Sequence, residues 1–213
     1  MRKIFFTLTL IPFLFLPSLA QAEYEGVTIG LSHGIFGATA DGTETVDGTS
    51  AKYQEQGAFK DDASSIFVEV DFGRFAIGVD YLAAGIVSPQ NTNTVNGSAN
   101  TQKVEIDELT TVYATLDVIA GLYLKAGYVD GNLDTQEVMA TSSQSGSNVG
   151  NKGLSGTTAG IGYKHVLDNG FQIRAEVNVS EYDGFSFTDS SGDKYEFRDL
   201  YSGRALISLA KTF

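Results

Sequence analysis

The chain has 213 residues, with 26 acidic against 14 basic side chains and a formal net charge of −12. That balance excludes a nucleic-acid binder, whose phosphate contacts need clustered Lys and Arg, and a polybasic membrane-surface binder. Cysteine is absent, which excludes disulfide staples, thiolate nucleophiles and thiol redox chemistry.

The first element is a targeting segment. Met1-Arg2-Lys3 is positive, Ile4 to Leu16 is apolar apart from Thr7, Thr9 and Pro12, and Pro17-Ser18 leads into Ala20-Gln21-Ala22. This is the layout of a secretory signal peptide cleaved after Ala22. The apolar core is shorter than the ~20 residues that a spanning helix needs. The domain expectation is therefore a signal peptide over 1–22 and one exported domain over 23–213. The exported part keeps 12 basic residues (14 − 2) and all 26 acids, a net charge of −14.

From there on, period-two alternation dominates, which is the strand signal. Eight segments are predicted. The first, about Gly26 to Ala38, sets Val27, Ile29, Leu31 and Ile35 against Thr28, Gly30, Ser32 and Gly34. The second, about Ser64 to Phe72, sets Ile66, Val68, Val70 and Phe72 against Glu69 and Asp71. After Gly73-Arg74 the third, about Phe75 to Val87, sets Phe75, Ile77, Val79 and Tyr81 against Gly78 and Asp80. The fourth, about Glu108 to Val118, opposes Val112, Ala114, Leu116 and Val118 to Tyr113, Thr115 and Asp117.

The fifth, Leu122 to about Leu133, opposes Leu122, Leu124, Ala126 and Tyr128 to Tyr123, Lys125 and Gly127. The sixth, about Leu154 to Val166, alternates Ala159, Ile161 and Tyr163 with Gly160, Gly162 and Lys164. Asp168-Asn169-Gly170 is turn chemistry, because Asn and Gly accept positive φ. The seventh, Phe171 to Tyr182, opposes Phe171, Ile173, Ala175, Val177 and Val179 to Gln172, Arg174, Glu176 and Asn178. The last, about Tyr195 to the end, opposes Ala205, Ile207, Leu209 and Phe213 to Arg204, Leu206, Ser208 and Thr212.

Connections after the even segments are very short. Those after the odd ones, 40–62, 88–105, 134–152 and 183–194, are long polar loops rich in Gly, Ser, Thr, Asn and Asp. Short turns at one rim and long loops at the other are the rhythm of an up-and-down membrane barrel. An even number of strands closes the ring and leaves no backbone edge in lipid. The expected fold class is all-β, an eight-stranded antiparallel up-and-down transmembrane β-barrel. A soluble barrel of lipocalin type is the competing architecture, with the faces reversed.

The apolar face then meets lipid, and the other face turns inward. It carries Glu69, Asp71, Asp80, Asp117, Lys125, Lys164, Arg174, Glu176 and Arg204, five acids and four bases. An eight-stranded barrel is just wide enough for side chains to fill, and buried charges persist when paired. These residues are the candidates for an ion-paired plug. Lys125, Arg174 and Glu176 additionally suggest a switchable pair.

The C-terminus resembles the last-strand assembly signal of outer-membrane barrels. Phe213 is terminal, with Leu209, Ile207 and Ala205 before it at steps of two, while Lys211 departs from the apolar preference and is placed to snorkel. Leu122-Tyr123-Leu124-Lys125-Ala126-Gly127-Tyr128 is similar to a strand of the small eight-stranded barrels, the group of the OmpA transmembrane domain, OmpX and OmpW-like proteins. That resemblance implies a bacterial outer-membrane location and recognition by the outer-membrane assembly machinery through the C-terminal strand. It also implies outer-membrane lipid as a partner. No peptidoglycan-binding domain is expected after Phe213. Trp is absent, unusual for a protein with aromatic belts.

Little points to catalysis, and no cofactor or metal is expected. His33 and His165 both fall on the apolar-face parity. Asp61-Asp62 and the pair Asp189 and Asp193 offer hard oxygen ligands, but they lack calcium-loop spacing and read as a solvated acidic rim. Ser142 to Asn148 reads as flexible loop. Gly160 and Gly162 are expected to make room inside the barrel for Tyr or Arg. The resulting expectation is a non-enzymatic barrel with a structural or surface-interaction role, its loop partner unspecified. A narrow pore for small or apolar solutes is the second expectation, and a lipid-modifying enzyme the third.

Overall fold

The computed structural model describes residues 25–45, 52–82, 84–89, 91–95, 98–138, 152–188 and 194–213. The signal peptide expectation lies outside the described residues. The strands are β1 (Gly26–Thr45), β2 (Lys52–Phe72), β3 (Phe75–Leu82), β4 (Ile86–Val87), β5 (Asn91–Val95), β6 (Ser98–Ile119), β7 (Leu122–Val138), β8 (Lys152–Val166), β9 (Phe171–Tyr182), β10 (Phe185–Thr188) and β11 (Lys194–Thr212).

Eight of them close a ring in the order β1-β2-β3-β6-β7-β8-β9-β11, with β11 returning to β1. Every pairing is antiparallel. The short strands β4 and β5 pair with β6, and β10 pairs with β11. No helix among the described residues is long and apolar enough to cross a membrane.

The short-turn rim follows from local chemistry. Ala120 and Gly121 both have positive φ (43° and 85°), which suits a two-residue hairpin turn whose twist matches its strands. Gly73 (φ 66°) and Gly170 (φ 80°) serve the other two tight turns. At the same rim Val27 and Phe213 exchange backbone hydrogen bonds of 3.2 and 2.9 Å, closing first strand on last.

The register fixes the stagger of the ring. Starting at Asp62 on β2, the lateral row runs through Ile35, Ala205, Val177, Ile161, Leu124 and Leu116 to Phe75 on β3. Phe75 pairs with Phe72, so one circuit returns to β2 ten residues below its start (72 − 62). The strands are therefore strongly tilted, as closure of a barrel demands.

The outer wall is apolar. Leu31, Val179 and Ile207 are 64%, 63% and 61% exposed, values that make sense for large aliphatics only where hydrocarbon replaces water. Tyr81, Tyr128 and Tyr201 sit towards the long-loop side of this belt, with Tyr163, Phe171 and Phe213 towards the short-turn side. Tyr and Phe thus supply both aromatic girdles without Trp. Lys211 lies over the Phe171 ring at 4.8 Å and donates to the Asn169 carbonyl, so its charged end reaches the turn rim.

The long polar loops are shorter than the sequence predicts. Residues 40–45 and 52–62 continue β1 and β2, and most of 88–105 and 134–138 are strand as well. Alternation fades there because water lies outside the wall, yet backbone pairing does not need alternation to continue.

Candidate functional site: the two-level interior

The interior changes character along the barrel axis. Nearer the turn rim it is polar. Arg174 donates to both Glu69 oxygens, Nη1 to Oε1 at 2.8 Å and Nη2 to Oε2 at 2.6 Å, a bidentate pair. Lys125 Nζ lies 2.8 Å from Glu176 Oε1, and Arg204 Nη1 lies 2.9 Å from Asp80 Oδ1. All six side chains are buried.

Neutral groups complete the coordination of each carboxylate. The Tyr113 hydroxyl donates to Glu69 at 2.9 Å. Tyr123 and Asn178 donate to Glu176 at 2.7 Å each, and Ser65 donates to Asp80 at 2.7 Å. The cations also rest on rings, Lys125 over Tyr113 at 3.9 Å and Arg174 over Phe67 at 4.8 Å. Buried charge is tolerable only when paired and hydrogen-bonded in this way.

Of the nine lumen candidates, six form these three pairs. Lys164 and Asp117 make a fourth at 2.8 Å near the turn rim, where both are partly exposed. Asp71 has no ion pair among the described residues and instead accepts from Thr28 Oγ1 at 2.7 Å. Thr28 contacts Thr212, which accepts from Gln172, which in turn accepts from Arg174. Arg174 does not share Glu176 with Lys125; the trio suggested by sequence is split between two pairs.

Inner-face glycines make the room. A Cβ on Gly162 would lie 2.3 Å from the Tyr123 ring, and one on Gly78 would lie 2.7 Å from Tyr113. Gly160 accommodates Asn178 rather than a Tyr or Arg.

Towards the long loops the interior becomes apolar, which departs from the uniformly polar lumen read from sequence. Phe36, Ala63, Leu82, Ile86, Ile106, Leu109, Val129, Leu154, Tyr182 and Leu200 form one buried cluster, with Phe59, Leu133, Phe185 and Phe197 packed against it. The reason is the change of outer solvent. In lipid the wall is apolar outside and polar inside. Above lipid, polar Thr39, Asp41, Glu108, Asp130 and Glu181 face out, and the inner positions take an ordinary hydrophobic core. The inner parity signals this switch, since the β1 run Thr28-Gly30-Ser32-Gly34 continues as Phe36-Ala38-Ala40.

The remaining candidates take no part in the ion-pair network. His33 and His165 are on the outer wall, and His33 Nδ1 is 2.9 Å from Ser64 Oγ. Asp61 Oδ2 accepts from Val87 N at 3.0 Å, and its Oδ1 accepts from Asp62 N. No group of acidic or His side chains among the described residues could hold a metal. Asp189, Asp193 and Ser142 to Asn148 lie outside the described residues. Leu209, Ile207 and Phe213 line the lipid side of β11 and its end.

No family model and no curated protein matches this sequence. Solved structures do match. The outer membrane protein OprG from Pseudomonas aeruginosa is similar at TM-score 0.55 and 11% identity, over 89% of this chain and 98% of that one. The outer membrane protein AlkL, solved in lipid bilayers, is similar at TM-score 0.50 and 11% identity, over 90% and 92% of the two chains. At such identities the likeness speaks to architecture alone. The chain has the fold of a small outer-membrane barrel, an eight-stranded antiparallel up-and-down β-barrel.

Proposed function

We propose that the protein is a closed, non-enzymatic barrel of the bacterial outer membrane, exported with its signal peptide removed after Ala22. It holds a rigid acidic rim of extended hairpins at the cell surface. One observation carries this reading: three buried ion pairs fill the lumen, beneath a packed apolar cluster. An ion entering would have to break a satisfied pair and also displace hydrocarbon side chains, two costs that oppose conduction.

The exported net charge of −14 favours a cationic partner for the rim over an anionic one. The C-terminal run Ile207, Leu209 and Phe213 is the segment offered to the assembly machinery, and outer-membrane lipid surrounds the belt. A catalytic role for His33 and Ser64 is disfavoured because, among the described residues, the ring has no acidic partner to orient it.

Planar-bilayer recordings test the reading. The folded barrel should show no conductance above background, and Glu176→Gln should leave it silent because the apolar level still closes the bore. Regular single-channel steps in the wild-type barrel would replace this proposal with the narrow-pore function.

A further inference from the structure

On β1 and β2 the lipid-facing wall carries a polar pair. The outward run of β1 is Ile29, Leu31, His33 and Ile35, and that of β2 is Val70, Val68, Ile66 and Ser64. His33 and Ser64 are paired neighbours in the ladder, and their side chains touch at 2.9 Å. Both are exposed. A polar pair in the belt costs free energy unless something satisfies it.

Their unused valences can be counted. Neutral imidazole has one donor and one acceptor nitrogen. Nδ1 is occupied by Ser64, and Nε2 has no partner among the described residues. The strand backbones here are paired on both sides, so the wall itself supplies nothing for Nε2.

The surroundings define what fits. Beside and below the pair lies a shallow groove of about 540 Å³, lined by the outward-facing Leu31, Ile173, Ile207 and Leu209, by His33 and Ser64 themselves, and by Ser32, Ser65 and Ser208, whose side chains turn inward. The side chains that face outward below the pair are all aliphatic, and the polar pair lies at the end towards the long loops. On β2 the outward positions change from Ile66, Val68 and Val70 to Ser64 and the exposed Asp62, so Ser64 stands at the upper edge of the belt. The polar end is therefore near the depth of the outer-leaflet interface, and the apolar end points down into hydrocarbon.

We infer that this groove seats one acyl chain of an outer-leaflet lipid, with the ester or hydroxyl oxygen at the head of that chain hydrogen-bonded by His33 Nε2. Three features agree on this occupant. The groove is continuous with the lipid-contacting belt, so lipid reaches it without crossing water. Its polarity gradient matches that of an acyl chain below its ester. It is concave, whereas a second copy related by a two-fold axis would set two hollows against each other and leave them unfilled. The Nε2–H tautomer, with Ser64 donating to Nδ1, makes His33 the donor to the lipid oxygen.

Native mass spectrometry of the detergent-solubilised full barrel tests this. Diacyl phosphatidylethanolamine and its dialkyl ether analogue, which lacks the ester carbonyls, are the probes. Wild type should bind the diacyl lipid at one saturable site and the ether lipid roughly fivefold to tenfold more weakly, the scale of one net hydrogen bond. His33→Leu should bring both lipids to the same weak level, and Ser64→Ala should reduce the difference by freeing the ring. Heat-modifiable gel migration checks folding; replacing a lipid-facing polar side chain by Leu should preserve it. Equal binding of both lipids by wild type, or unchanged discrimination in His33→Leu, overturns the inference. A dimer that dissociates in His33→Leu also overturns it, in favour of a second copy.

Discussion

Arg174 and Glu69 stand 105 residues apart in the chain and meet across the lumen through two hydrogen bonds of 2.8 and 2.6 Å. One comes from β9 and the other from β2, which are not neighbours in the ring. β1 and β11 lie between them, so the pairing ties non-adjacent strands together through the bore and does not depend on the backbone ladder.

Removing one partner should therefore be far worse than removing both. Glu69→Ala leaves the Arg174 guanidinium buried without its acid, an effect of about 3–5 kcal/mol. Urea unfolding of the barrel in lipid vesicles, followed by gel migration, measures it. The double change Glu69→Leu with Arg174→Met should lose much less. Equal loss in the single and double variants would mean that the pair is not what holds those strands.

The apolar level should behave as a soluble-protein core. Leu109 is 2% exposed within it, whereas Leu124 faces lipid. Leu109→Ala should cost about 2–5 kcal/mol through lost burial and a cavity. Leu124→Ala should cost clearly less, since acyl chains relax into the space. Hydrogen exchange should speed up in β7 beyond Val129 in the Leu109 variant and remain slow near the turn rim. Uniform acceleration over the whole barrel would show that the two levels are not separate.

On the rim of β11, above the belt, Glu196 is flanked by Lys194 at 2.9 Å and Arg198 at 2.6 Å. The Lys194 hydrogen bond, then the charges of Lys194 and Arg198, hold its carboxyl below the usual carboxylate range. A depressed folded-state value contributes stability above the unfolded-state pKa and loses it as pH falls through the folded value. NMR titration of Glu196 should give a midpoint below the ordinary ~4.3, and Lys194→Met should move it upward. A midpoint unchanged by Lys194→Met would assign the shift elsewhere.

Much of this architecture can be read along the chain. Ile29, Leu31 and Ile35 against Thr28, Gly30 and Ser32 give the faces of β1 directly, because side chains alternate across a strand. The turns at Gly73, Gly121 and Gly170 are equally local, since positive φ has a residue signature. The eight-strand ring and its orientation follow from these together, and the architecture found in the structure agrees with them.

The loops are less legible. The predicted loop over 40–62 is largely hairpin, because a polar strand standing in water has no apolar stripe to announce it. The upper core is missed for a related reason. Phe36, Leu82, Leu109 and Val129 each look like isolated apolar residues at inner parity until the register stacks them at one height.

The sequence by itself determined which side chains face lipid and which face inward, and so put nine charged residues at inward parity. Alternation is a local property, set by the pleat one residue at a time. It could not say that Arg174 would choose Glu69 while Lys125 took Glu176. That choice belongs to the ten-residue stagger of the closed ring, which sets the height of every inward side chain and appears only when β11 closes on β1.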